Sequence, residues 1–251
     1  MFDLLRDQLD RMAGEDRAVS LFFRDDDAGR ESDSLQRVME AFIFYEVPLN
    51  IAVVPAWLKP AEASRLVDLK RRWPDLLCYH QHGYRHVNHA GPGKRSEFPD
   101  LRPYEAQLND VRTGMEMLRS EMGEAFFSAF TPPWNRCSES TVEALTVLGF
   151  RLISRDAPTP GARERGLMDA PVTLDILERK NASRWHLRDP EIIVRELVEQ
   201  LCSLGCVGVM LHHQHHEGES LAFLKGLLNI LGGSPAVRCI SFERMKRDAA
   251  P

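Results

Sequence analysis

The sequence predicts an α/β barrel, regular or distorted, in which parallel strands alternate with helices. About eight short runs of β-forming residues alternate with longer segments of helical period along 251 residues, which is the pattern of successive βαβ units. No phosphate-binding loop of the G-x-G-x-x-G or G-x-x-x-x-G-K-[ST] type follows a predicted strand, so a nucleotide-binding sheet is disfavoured. Eight alternations in this length favour a barrel over an open doubly wound sheet.

The predicted elements are short strands separated by amphipathic helices. The strands cover residues 19–24, 49–54, 76–81, 126–130, 150–154, 172–176, 206–211 and 237–241. The helices lie near residues 2–12, 31–45, 61–72, 104–120, 139–148, 190–203 and 219–231. Leu108, Val111 and Leu118 form one apolar stripe at helical spacing. Asp189 and Pro190 are suitable as the N-cap and the first-turn proline of the helix over 190–203.

Composition and charge describe an ordinary globular chain and disfavour several classes of function. Hydrophobic residues make up 43% and charged residues 27%, which argues against a disordered or disulfide-stabilised chain. The formal charge of -5 disfavours a nucleic-acid partner. No apolar run approaches the roughly 20 residues that cross a bilayer, and the first residues are too charged for a secretory signal. We therefore expect a cytoplasmic protein that binds neither nucleic acid nor membranes.

Eight of the nine histidines fall in two short windows. The first window holds His80, His82, His86 and His89, and the second holds His212, His213, His215 and His216. Imidazoles are common metal ligands and proton carriers, so the two windows indicate where chemistry takes place. The five cysteines include no C-x-x-C pair, and a thiolate zinc site is therefore not predicted.

The first window has the spacing of metal ligands. His82 and His86 stand at i and i+4, which would bring both imidazoles onto one side of a helical turn. With one carboxylate they would form a ligand set of two imidazoles and one acid, as catalytic zinc sites do. His80 alternates with His82 along a strand, so a His-x-His pair is a competing arrangement.

Two further clusters follow the ends of strands. Asp25, Asp26 and Asp27 follow an apolar strand, and they repel one another unless a cation or an arginine neutralises them; an exposed acidic turn or a helix N-cap is the alternative. The histidines over 212–216 follow the seventh predicted strand. An imidazole there is suited to donating a proton to a leaving amine, whereas a surface histidine patch is the alternative.

A proline-rich loop follows the fourth predicted strand. Two prolines stiffen the exit from that strand and orient the backbone N–H of Trp134 and its indole face. Such a loop could present a hydrogen-bond donor to a developing oxyanion and an aromatic wall to a sugar ring. An ordinary rigid turn with a packing tryptophan is the alternative.

Taken in order, these motifs resemble those of the polysaccharide deacetylase family, also called the NodB-homology family or carbohydrate esterase family 4. They are Asp-Asp after strand one, H-x-x-x-H after strand three, Pro-Pro-aromatic after strand four and Leu-His after strand seven, over about residues 19–215. The resemblance is closest to divergent branches with R-x-D-D and H-G-Y-x-H motifs. It implies one domain over residues 1–251 with a distorted (β/α)7 barrel. It also implies a divalent metal, usually zinc, and removal of acetyl groups from N-acetylated or O-acetylated sugars.

The resemblance also implies a role for each matched residue. The matches are the general base Asp26, the metal ligands Asp27, His82 and His86, the general acid His212, and the oxyanion and substrate residues Trp134, Pro133 and Asn135. The register of the acidic triplet stays open by one residue, so Asp25 and Asp26 could be the working pair. His212 and His213 point to opposite sides of an extended strand end, and the Leu-His match selects His212.

The chain departs from the family pattern at two places. Thr131 stands where the family has an arginine that pairs with the base, so that Arg24 or Arg136 would have to supply the charge. The Asp and Trp combination that tunes the acid histidine is not visible, although Asp156 could fill part of that role. These departures leave two alternatives open, a sugar-binding barrel without turnover and a metallohydrolase of the amidohydrolase type that uses His80 and His82.

Overall fold

The computed structural model describes residues 1–181 and 184–248, and its strands form the distorted barrel that the sequence predicts. The strands are β1 (Val19–Ala28), β2 (Leu49–Val53), β3 (Leu77–His82), β4 (Phe126–Thr131), β5 (Leu152–Ile153), β6 (Met168–Asp169), β7 (Leu174–Asp175), β8 (Leu177–Asn181), β9 (Arg184–Leu187), β10 (Cys206–Leu211) and β11 (Val237–Cys239). The main sheet is parallel and runs β6-β5-β4-β3-β2-β1-β10-β7, with β11 beside β1. Within the described ranges no ladder joins β6 to β7, so the sheet curls without closing.

Helices cover the outside of this sheet. They are α1 (Asp3–Gly14), α2 (Asp33–Phe44), α3 (Pro60–Arg72), α4 (Tyr104–Met122), α5 (Glu139–Val147), α6 (Pro190–Ser203), α7 (Gly218–Gly232) and α8 (Phe242–Asp248). Asp189 caps α6 as predicted, since its side chain accepts a hydrogen bond from the N–H of Glu191. In the part of the chain that the structure describes, no helix has the length and apolar character that a bilayer crossing requires.

The differences from the predicted elements concern short or antiparallel segments. Each predicted strand and helix overlaps an observed one, whereas β6, β8, β9 and α8 were not predicted. The predicted strand over 150–154 shortens to two residues, and β6 also has only two, which is too short for an alternating pattern to be visible. The strands β8 and β9 form a separate antiparallel hairpin inserted between β7 and α6.

Strand β1 pairs with three other strands of the sheet and carries the acidic triplet at its end. One edge pairs with β10 from Ser20 to Asp25, and the other edge is shared by β11 and β2. The register of β1 against β2 shifts between Asp25 and Ala28, where Asp27 adopts a positive φ of 70°. This irregularity lies where β1 meets its neighbours at the carboxyl end of the sheet, which is the end where barrels build their sites.

The interior below the site is filled by apolar side chains. Phe22 of β1 and Phe242 of α8 pack with ring centroids 5.2 Å apart, and the ring of His80 lies 5.1 Å from that of Phe242. Side chains alternate along β1, so Arg24 and Asp26 lie on the same inner face as Phe22. The polar groups of the site therefore rest on a packed apolar layer.

Strand β10 packs closely against residues 171–172 at Gly208, so a substitution of Gly208 tests this packing. A Cβ on Gly208 would lie 2.6 Å from the carbonyl oxygen of Pro171 and would also meet Phe22. We therefore expect Gly208→Ala to lower the free energy of unfolding by about 1–3 kcal/mol. Urea denaturation measures the change.

The matched control is Gly205→Ala, because nothing lies within 4 Å of the Cβ that would be added there. It should change the free energy of unfolding by less than about 0.5 kcal/mol. Equal losses in the two variants would contradict the packing described for β10.

Candidate metal and catalytic site

Three predicted metal ligands come together at the carboxyl ends of β1 and β3. Asp27 Oδ1 lies 3.2 Å from His82 Nε2 and 3.1 Å from His86 Nε2. One ligand atom from each residue lies within 4.8 Å of the other two. His80 is not part of this cluster, because its Nε2 bonds Thr131 Oγ1 at 2.9 Å deeper in the barrel.

The hydrogen bond on the far side of His82 indicates that this cluster suits a cation. His82 Nδ1 lies 3.0 Å from the carbonyl oxygen of Thr131, which can only accept, so Nδ1 carries the proton. In the neutral ring Nε2 is then an unprotonated acceptor that faces the carboxylate of Asp27. Two acceptors at this distance repel each other unless a proton or a metal ion is bound between them. The donor set of one oxygen and two nitrogens fits a divalent metal such as zinc.

A strained turn, rather than the predicted helical turn, brings His86 next to His82. No helix covers residues 83–89, and both Gly83 and His86 have a positive φ of 57°. The buried carboxylate of Glu97 holds this turn by accepting the N–H groups of Tyr84 and Arg85 at 3.1 and 2.7 Å. Gly83 has no space for a side chain, because a Cβ would lie 2.6 Å from Pro133 and would also meet Glu97. The expectation of a helical turn was wrong, because the carboxylate of Glu97 satisfies the backbone N–H groups in another way.

Asp26 forms a buried ion pair with Arg24. Arg24 Nε and Nη2 donate to Asp26 Oδ1 and Oδ2 at 2.9 and 2.8 Å, and the two side chains are almost fully buried. Burial raises the pKa of Asp26, but the charge of Arg24, with His82 and His212, lowers it by more. The carboxylate is therefore ionised at neutral pH.

The sequence left either Arg24 or Arg136 to supply the positive charge beside Asp26, and the structure has Arg24 in that position. Beyond Asp26, the Arg24 guanidinium donates to Ser154 Oγ at 2.9 Å and to Asn135 Oδ1 at 2.7 Å. Arg136 instead donates to the carbonyl oxygen of Arg95. Thr131 forms hydrogen bonds with His80 through its hydroxyl group and with His82 through its carbonyl oxygen. The charge beside the carboxylate thus comes from β1.

Asp25 has a different partner from its two neighbours. His213 donates its backbone N–H to Asp25 Oδ1 at 2.7 Å, and His213 Nδ1 lies 2.6 Å from Asp25 Oδ2. Burial lowers the pKa of His213, but the charge of Asp25 raises it by more. This buried pair joins the ends of β1 and β10 and turns Asp25 away from Asp26 and Asp27.

His212 lies against an aromatic ring that the sequence did not indicate. Its imidazole stacks on Trp185 of β9 with centroids 5.3 Å apart, and its Nδ1 is buried without a partner among the described residues. Asp175 of β7 is close enough for His212 to lower its pKa, which burial raises by more. Asp156 is exposed and has no part in this arrangement. The Asp and Trp near His212 are thus Asp175 and Trp185.

The proline-rich loop after β4 has an unusual backbone. Trp134 and Asn135 have positive φ values of 57° and 58°, as do Asp27 and His86 of the candidate metal site. Backbone strain of this kind concentrates at functional sites. The ring of Trp134 lies 4.4 Å from that of His86, and its backbone N–H has no acceptor among the described residues. This N–H is available to a ligand.

Comparison with solved structures identifies the fold. No family model matches the sequence, and neither does any curated protein. A Mycobacterium smegmatis protein classed as a polysaccharide deacetylase superposes with a TM-score of 0.70 at 15% identity, over 92% of this chain and 90% of that one. A family 4 acetyl xylan esterase from Clostridium thermocellum, in complex with a cobalt ion, gives 0.55 at 12% identity over 83% of each chain.

A third similar structure is a carbohydrate esterase family 4 pseudoenzyme from Bacillus anthracis. It superposes with a TM-score of 0.57 at 14% identity, over 88% of this chain and 63% of that one. The chain therefore has the fold of the carbohydrate esterase family 4 polysaccharide deacetylases, which confirms the fold that the motifs imply.

The metal cluster is tested by the metal content of the purified protein. Dialysed against zinc and then against buffer, the wild type should retain about one ion per chain. His82→Ala and His86→Ala should lose it, because each removes one of three ligands. Mass spectrometry of the metal measures the stoichiometry.

The matched control is His89→Ala, an exposed histidine in the same loop. It should retain zinc like the wild type. Full zinc content in both His82→Ala and His86→Ala would remove the basis for this ligand set.

Proposed function

We propose that this protein is a metal-dependent hydrolase that removes acetyl groups from an N-acetylated or O-acetylated sugar or a related small amide. We further propose that residues 1–251 act as one domain of this type and that the metal is zinc. The single observation that carries the proposal is the Asp26 carboxylate, paired with Arg24, next to an Asp and His cluster that could hold a metal ion. A base next to a cation site is the arrangement that hydrolysis of an acetyl group requires.

The site residues have complementary roles in this reaction. Asp27, His82 and His86 would hold the metal, which when bound supplies Lewis-acid polarisation of the acetyl carbonyl. Asp26 takes the proton of the attacking water, and Arg24 keeps the carboxylate ionised and fixed in orientation.

The remaining groups act on the developing charge and on the leaving group. The free N–H of Trp134 donates a hydrogen bond to the oxygen of the tetrahedral intermediate. His212 protonates the departing amine or alkoxide, while Trp185 stacks on its ring. Pro133 and Asn135 fix the loop that carries this donor.

A sugar-binding barrel without turnover is the second candidate, and the similarity to the Bacillus anthracis pseudoenzyme keeps it open. In the sequence, this candidate was based on two departures from the family pattern. One is the missing arginine that pairs with the base, and the other is the missing Asp and Trp combination that tunes the acid histidine. Arg24, Asp175 and Trp185 now supply groups of those types at the site. The amidohydrolase alternative has less support, because His80 lies outside the metal cluster.

The proposal is tested by acetate release from a panel of acetylated sugars. The zinc-loaded wild type should release acetate. Asp26→Asn should lower kcat by about 10²–10⁴ and keep its zinc, because the amide preserves the shape of the carboxylate but cannot take a proton. Proton NMR of free acetate measures the rate.

Asp156→Asn, which changes an exposed aspartate in the loop after β5, is the control and should keep wild-type activity. Activity of Asp26→Asn within about tenfold of the wild type, a barrier change of only ~1.4 kcal/mol, would exclude Asp26 as the base. Loss of zinc in Asp26→Asn but not in Asp27→Asn would shift the register of the triplet by one residue.

A further inference from the structure

Three exposed arginines lie over aromatic rings that themselves contact the histidines of the site. Arg30 lies 4.1 Å from the ring centre of Trp57, and Arg95 lies 5.9 Å from that of Trp134. Arg179 lies 5.4 Å from the ring centre of Trp185. We name Arg30, Arg95 and Arg179 the mouth arginines.

Each of these rings is in turn next to a proposed metal ligand or the proposed acid. The rings of Trp57 and Trp134 lie 5.3 and 4.4 Å from that of His86, and the ring of Trp185 lies 5.3 Å from that of His212. One aromatic ring thus lies between each mouth arginine and a histidine of the site, either His86 or His212.

The mouth arginines come from three separate segments. Arg30 follows β1, Arg95 lies between β3 and α4, and Arg179 belongs to β8. Segments far apart in sequence therefore place the same combination of arginine and aromatic ring around one opening. A single arginine on a tryptophan would be an ordinary surface contact, whereas three around one site form a cationic rim.

The mouth arginines have no ion-pair partner among the residues that the structure describes. Two carboxylates that are close to mouth arginines in sequence have other partners: Glu178 pairs with His186, and Glu97 accepts two backbone N–H groups. The chain as a whole carries a formal charge of -5, so the charge of the mouth arginines is opposite in sign to the net charge of the chain.

We infer that the substrate is anionic, an acetylated sugar that carries a carboxylate or a phosphate beside the acetyl group. This inference rests on the proposed function and narrows its substrate class. The planar guanidinium groups, each held on an aromatic ring, bind the oxygens of the anion. A neutral sugar would leave the three cations without a counter-charge.

The experiment compares three sugars that differ in charge. N-acetylglucosamine is neutral, its 6-phosphate adds a phosphate, and N-acetylmuramic acid adds a carboxylate. The zinc-loaded wild type should show a kcat/KM for one of the charged sugars at least about tenfold above that for the neutral one. The preference should weaken when sodium chloride rises from about 50 mM to about 500 mM. The charged sugar that is preferred identifies the anion.

Variants assign this preference to the mouth arginines. Arg30→Gln, Arg95→Gln and Arg179→Gln should each reduce the ratio of charged to neutral kcat/KM about threefold to fivefold, and the triple variant should abolish the preference. Arg119→Gln is the control, because Arg119 is an exposed arginine in the last turn of α4, which leads to the amino end of β4. It should leave the ratio unchanged.

Two results would overturn the inference while leaving the proposed function intact. One is hydrolysis of the neutral sugar as fast as both charged sugars, and the other is a charge preference that survives in the triple variant. If no sugar releases acetate, the proposed function fails, and calorimetric binding of the same sugars decides the inference. Tighter binding of a charged sugar that the triple variant loses would then support it, and equal or absent binding would overturn it.

Discussion

A fully buried guanidinium lies at the centre of the site, and the surrounding groups are arranged to compensate its charge. Removing an arginine from water costs several kcal/mol unless its donors are satisfied. Asp26 accepts two hydrogen bonds from Arg24, and Ser154 and Asn135 accept two more. These partners belong to β1, to the turn after β4 and to the chain directly after β5. One buried charge thus fixes the relative positions of three strand ends, and the same contact keeps Asp26 ionised.

The second constraint is the backbone strain that surrounds this ion pair. Asp27, His86, Trp134 and Asn135 all adopt positive φ values, although none of them is glycine. Such conformations cost about 1–3 kcal/mol each and persist only where the packing determines them. The buried Glu97, which holds the turn after β3, and the two prolines before Trp134 provide that packing. The apolar layer beneath the site gives these loops a fixed base.

The sequence predicts much of this arrangement because parallel strands end at a common edge. Motifs that follow β1, β3, β4 and β10 must meet there, so the approach of the acidic triplet to His82 and His86 could be anticipated, whereas Asp27 was selected only by the resemblance to the family. From the sequence, either Arg24 or Arg136 could be the partner of Asp26. The i, i+2 spacing of Arg24 and Asp26 places both side chains on one face of a strand, and this spacing would have favoured Arg24. Trp185 was not predicted, because the hairpin of β8 and β9 is an insertion whose contact with His212 is not local in sequence.

The central claim is that Arg24 acts through Asp26, and a double-mutant cycle on acetate release tests it most directly. Arg24→Gln should lower kcat/KM. It should also move the acidic limb of the rate profile to higher pH, because the pKa of Asp26 rises when the cation that lowers it is removed. With zinc content unchanged, the double variant Arg24→Gln with Asp26→Asn should be no slower than Asp26→Asn alone. If the two losses multiply instead, Arg24 does not act through Asp26 and the account of the site is contradicted.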